Sequence, residues 1–190
     1  SPINPQSIDF LLKIAPHRIT LVPENRQEVT TEGGLNVEKN LKTIQEITKK
    51  FQDNGTEVSL FIDTDICQIC AAKETGANMI ELHTGAYANL HLMLFTNLPK
   101  MHNSIKTLEQ SKSHLKEAYE NSLIELKNAA KEAKWLGLEV AAGHGLNYAN
   151  LKPILEIPEI IELNIGQSIV ARAIFTGLEQ AIKDMVALLK

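Results

Sequence analysis

Two glycines enclose a histidine in Val140-Ala141-Ala142-Gly143-His144-Gly145-Leu146-Asn147, at the end of a short apolar run. Glycine on both sides admits positive φ and a close approach of backbone to ligand, and imidazole is the side chain best suited to exchanging protons near neutral pH. His144 is therefore the first candidate for chemistry. Glu81 and His83 are the second, since two residues apart on a strand they point to one face. Such a carboxylate and imidazole divide acid and base work, hold a metal, or simply satisfy each other's hydrogen bonds. Asp63 and Asp65 read as metal ligands or, in the commoner use, as helix N-caps. Gly166-Gln167-Ser168 follows the last apolar run and opens a helix. Backbone N–H groups and the helix dipole suit a phosphate there, with a tight turn as the plain alternative. The loop Val22 to Gly34 carries Glu24, Arg26, Glu28, Thr30, Thr31 and Glu32. It reads as a solvated loop, or as a lid with Gly33-Gly34 as hinge.

Regular elements must position these groups. Apolar spacing predicts helices over Pro5 to Ile14, Val37 to Asn54, Ile66 to Glu74, Tyr87 to Phe95, Leu151 to Leu155, Gln167 to Phe175 and Leu178 to Leu189. A longer helix is expected from Thr107 to Leu136, interrupted near Ser111. Strands are expected over Arg18 to Val22, Glu57 to Ile62, Met79 to His83, Glu139 to Ala142 and Ile160 to Ile165, each buried on both faces as in a parallel sheet. The alternation of strand, loop and helix repeats five times, and each polar or glycine-rich feature falls at the carboxyl end of a strand. In an α/β barrel that end carries the active site.

The 190 residues are 44% hydrophobic and 22% charged, with a net charge of −4. This is the composition of an ordinary water-soluble domain, and the chain reads as one domain over 1–190. No basic tract offers a field for nucleic acid. No apolar run is long enough to cross a membrane, and no signal peptide opens the chain, so a cytoplasmic location is expected. Cys67 and Cys70 form a lone C-x-x-C inside a predicted helix, without the second pair that zinc wants, and read as structural. Closed (β/α)8 domains take ~250 residues, so the five units here fall about three short. The expectation is a chain covering five of eight βα units of a TIM barrel, the missing units lying N-terminal to Ser1; an open doubly wound sheet is the alternative.

The stretches L-V-P-E-N-R-Q-E-V-T-T-E-G-G-L, V-S-L-F-I-D, I-E-L-H-T-G-A-Y-A, A-G-H-G-L-N-Y and P-E-I-I-E-L-N-I-G, in this order, resemble the pyridoxine 5'-phosphate synthase family of the vitamin B6 pathway. The resemblance spans the chain. It implies a (β/α)8 barrel, a homo-oligomer (an octamer in the family), and no metal or organic cofactor. The implied reaction condenses 3-amino-2-oxopropyl phosphate with 1-deoxy-D-xylulose 5-phosphate. By the same resemblance Glu81 assists proton transfer or stabilises charge, and His144 is a proton donor. Gly145, Gly166 and Gln167 hold phosphate through backbone N–H groups, and Thr30 contacts substrate. Relatives often have histidine where Gln167 stands, so only its backbone role carries over. Strands bearing, in order, N-x-D-H, H-x-R-E-D-x-R-H and N-x-E open the family's barrel and are not seen here.

Two other readings stand beside this one. A metal-dependent hydrolase would use Glu81, His83 and Asp63. A non-catalytic fragment would complete a barrel only with another chain.

Overall fold

The computed structural model describes residues 5–23 and 33–189. In chain order the elements are α1 (Pro5–Ile14), β1 (Arg18–Leu21), α2 (Leu41–Gln52), β2 (Glu57–Ile62), α3 (Ile66–Glu74), β3 (Met79–His83) and α4 (Gly85–Phe95). They continue as α5 (Lys112–Trp135), β4 (Glu139–Gly143), α6 (Lys152–Leu155), β5 (Glu162–Asn164), α7 (Gln167–Thr176) and α8 (Leu178–Leu188). Short 3-10 turns at Leu98–Lys100 and Lys106–Leu108 precede α5. The strands form one five-stranded sheet in the order β1-β2-β3-β4-β5, and β2 runs parallel to both β1 and β3. Among the described residues this is the α/β alternation of part of a barrel. No described helix is long and apolar enough to cross a membrane.

The chain divides into two compact units, of which the first comprises residues 1–83 and 129–141. In it Leu21 lies level with Leu60, and Leu60 with Ile80. Val58, Leu60 and Ile62 are fully buried, as β2 requires with a strand on either side. Ile44, Ile47 and Phe51 of α2 recur at helical spacing and are buried. Truncating Phe51 to alanine would cost about 3–5 kcal/mol in lost transfer energy and cavity.

Helix α2 starts at Leu41, four residues later than the apolar spacing predicts. Asn36 accepts the Lys39 N–H on its side chain at 3.0 Å, and the Val37 N–H donates to the Gln68 side chain at 2.7 Å. These bonds, the first local and the second reaching to α3, hold 37–40 as a turn, as asparagine does when it competes with the helix for backbone groups.

The second unit comprises residues 84–128 and 142–190. Leu90 and Met93 of α4 pack on Leu115 of α5, flanked by Leu94, Leu98, Ile105, Leu108, Ala118 and Tyr119. The interruption expected near Ser111 is in fact the start of α5. The Ser111 carbonyl accepts the Leu115 N–H and its hydroxyl lies 3.3 Å from the His114 N–H. On α7 and α8, Arg172 donates to Asp184 at 2.7 Å and lies over the Tyr148 ring, 4.8 Å from its centroid.

Strand β5 departs from expectation. It has three residues where six were expected, and Asn164 is exposed, with Glu162 and Leu163 only half-buried. Among the described residues it stands last in the strand order, with a neighbouring strand on one side.

Candidate active site

In the first unit the strand ends meet through Asp63 and His83. Asp63 follows β2 and His83 ends β3, and their side chains approach at 2.9 Å between Oδ1 and Nδ1. The imidazole is buried against Phe61, with ring centroids 4.9 Å apart. The His83 hydrogen bond, aided by one from the Gly34 backbone, holds the Asp63 carboxyl below its ordinary value of 3.8 against the opposing effect of burial. Of the two aspartates, the neighbouring Asp65 is the cap: its side chain accepts the Cys67 N–H at 2.7 Å and starts α3. His83 thus pairs with the aspartate that follows the adjacent strand. Glu81 is half-buried in mid-β3, level with Phe61. Among the described residues no three His, Cys, Asp or Glu side chains converge as metal ligands.

Gly34, of the pair read as a hinge, lies close against the end of β2. A Cβ on Gly34 would stand 2.3 Å from the Asp63 nitrogen and 2.4 Å from the Ile62 carbonyl carbon. The following residue, Leu35, is buried and donates its N–H to the Phe61 carbonyl at 2.7 Å. Only glycine lets the backbone lie this close to β2. Thr30 and the rest of 24–32 fall outside the described residues. Cys67 is exposed and Cys70 half-buried, both as free thiols. Asp65, then Glu38, push the Cys67 thiol above its ordinary value, away from the reactive thiolate.

In the second unit β4 delivers the histidine turn. Ala142 is wholly buried, whereas His144 and Gly145 emerge exposed. Sequence reasoning gave positive φ to the flanking glycines, but His144 itself has φ 81°, followed by Gly145 at 79°. A residue with a Cβ rarely takes this conformation, and it persists only where the surroundings fix it. Three successive carbonyls are fixed here. Thr84 is fully buried, and its hydroxyl lies 2.7 Å from the Gly143 oxygen and 2.6 Å from that of His144. The Thr84 N–H also donates to Gly143, at 2.8 Å. Asn150, fully buried too, donates its amide to the Gly145 oxygen at 3.0 Å and accepts the Asn147 N–H at 2.7 Å. The Tyr87 hydroxyl donates to the Asn150 carbonyl at 2.5 Å, and burial together with Tyr119 pushes that phenol far above its usual range. A Cβ on Gly145 would meet that of Ala88 at 2.6 Å.

The same unit brings this turn to the start of α7. Ser168 donates its hydroxyl to the Leu146 carbonyl at 2.9 Å, so Gly145 and the pair Gly166-Gln167 belong to loops that are tied together. Gly166 has φ −124°, and a Cβ there would meet nothing within 4 Å. Among the described residues, packing places no demand for glycine at 166. The first N–H groups of α7 have no partner within the helix and carry its positive end, which suits an anion. Thr84 and Asn150 were missed as site residues in the sequence. A threonine before a helix reads as a cap, and an asparagine six residues past His144 reads as a loop residue.

Residues 2–190 match the model of the family described as pyridoxal phosphate biosynthesis protein PdxJ. The chain is 55% identical to a pyridoxine 5'-phosphate synthase of Wolinella succinogenes over 184 residues, 97% of this chain and 70% of that protein. It is 54% identical over 188 residues to the enzyme of the same name from Aliarcobacter butzleri, covering 99% and 72%. A third, from Sulfurovum sp., is 52% identical over 98% of this chain and 72% of its own length. With the family model and such relatives covering nearly all of it, the chain belongs to the PdxJ family of pyridoxal phosphate biosynthesis proteins.

Proposed function

We propose that the protein is a pyridoxine 5'-phosphate synthase, condensing 3-amino-2-oxopropyl phosphate with 1-deoxy-D-xylulose 5-phosphate to pyridoxine 5'-phosphate, inorganic phosphate and water. The observation that carries this reading is the 55% identity, across 97% of the chain, to a protein of that name. Schiff-base formation, dehydration and ring closure each move a proton, and this chain offers groups suited to such transfers. His144, exposed on its fixed turn, donates a proton to a leaving oxygen. Glu81 assists proton transfer or stabilises developing positive charge. Gly145, Gly166 and Gln167 present backbone N–H groups to a substrate phosphate, supported by the open space at Gly166 and the helix that starts there. Thr30 would contact substrate from the 24–32 loop.

The five strands would be five of the eight units of a TIM barrel, working in the cytoplasm without metal or organic cofactor. Self-association as a homo-oligomer, an octamer by analogy with the family, is supported by exposed Val170, Ile174 and Phe175 on α7. The test is direct: incubate the intact protein with both phosphorylated substrates and measure pyridoxine 5'-phosphate and phosphate release. Absence of product would overturn the function, whereas unchanged turnover by His144→Ala would overturn the role of that residue alone.

A further inference from the structure

We infer that Thr84 is the positioning residue for His144, holding the imidazole in its working direction by fixing the backbone on both sides of it; this rests on the proton-donor reading above. In an extended chain successive carbonyls point to opposite sides. Those of Gly143 and His144 instead converge on one oxygen, 2.7 and 2.6 Å from the Thr84 hydroxyl. That convergence needs a turn at residue 144, and φ 81° supplies it. The hydroxyl has one proton, shared between the two acceptors, and the Thr84 N–H reinforces the bond to Gly143.

The use of this hydroxyl is unusual for its position. Thr84 occupies the N-cap of α4, where a threonine ordinarily accepts an N–H of the first helical turn, yet it makes no side-chain cap bond. Its own carbonyl does receive the Ala88 N–H at 2.9 Å, so the helix starts without the hydroxyl's help. The side chain has been diverted from the helix it begins to the turn that carries His144. Asn150 completes the hold by fixing the next carbonyl, that of Gly145. Side-chain groups on rigid, buried supports are what keep a reacting group within the narrow range of direction that proton transfer requires.

The test uses the intact protein and four variants: Thr84→Val, Thr84→Ser, His144→Ala and the double variant Thr84→Val/His144→Ala. Thr84→Val keeps the shape and removes the hydroxyl; kcat should fall about tenfold or more with KM for both substrates within about twofold, the pattern of a lost transition-state interaction. Thr84→Ser restores the hydroxyl and should recover kcat to within about threefold. In the His144→Ala background the valine should cause no further loss, since a residue acting only through the imidazole has nothing left to position. Equal losses from valine with and without His144, or a serine variant as slow as the valine, would overturn the proposal. Should Thr84→Val fail to fold, Thr84→Ala takes its place in the same cycle. If His144→Ala itself turns over normally, the proton-donor reading fails; if His144→Ala is slow but Thr84→Val is not, the positioning role alone fails.

Discussion

His83 and His144 stand at the ends of consecutive strands, β3 and β4, and their surroundings differ in every respect that matters to chemistry. His83 is buried, paired with Asp63 at 2.9 Å and set against Phe61. His144 is exposed, on a backbone of φ 81° whose carbonyls are fixed by Thr84 and Asn150. In the first region the side chain is restrained and the backbone is ordinary strand. In the second the backbone is restrained, and the residue is exposed. A histidine of the first kind ties elements together, while one of the second kind suits the proton-donor role proposed for His144.

The sharpest way to break this contrast is to disturb each region in turn, beginning with the His144 imidazole. His144→Ala should lower the rate of product formation by roughly 100-fold or more, in line with loss of a general acid, while its thermal transition stays near that of the parent. The next largest effect belongs to the other region. Gly34→Ala drives a Cβ into the backbone of Asp63 and Ile62, and should destabilise by about 1–3 kcal/mol or more in a denaturant titration. Asp63→Ala removes the partner of a buried imidazole nitrogen and should cost about 1–3 kcal/mol by the same measurement. Should His144→Ala instead prove the less stable of these variants, the contrast between the two histidines fails.

The smallest effect is a dependence on pH. The folded protein holds Asp63 below its ordinary 3.8, so the pair's contribution is fully present above the unfolded value and is lost as pH falls through the lower folded one. The gap in melting temperature between the parent and Asp63→Asn should therefore be widest near neutrality and close below about pH 4. It stays small because the Asp63 side chain is 50% exposed, where solvent screens the pair.

Much of the fold was legible because periodic burial writes itself into residue order. β2, β3 and α3 begin and end where the apolar runs and glycines predict. What escaped depends on residues distant in sequence or on side chains competing for backbone. The late start of α2 follows from the Asn36 side chain, and the short β5 stands last in the strand order among the described residues. The sequence pointed to the right turn but placed its strain on the glycines, because nothing in the pattern G-H-G says which residue turns left-handed. Thr84 lies 60 residues from His144, and no local pattern joins them.

The left-handed backbone at 144 sets foldability against turnover. An L-residue with a side chain loses roughly 1–2 kcal/mol in that conformation, while glycine adopts it freely at the expense of a floppier unfolded chain. His144→Gly should therefore melt no lower than the parent, while losing turnover as His144→Ala does. At this one position the sturdiest polypeptide and the working enzyme are different molecules, and a screen that selected for heat resistance alone would discard the imidazole.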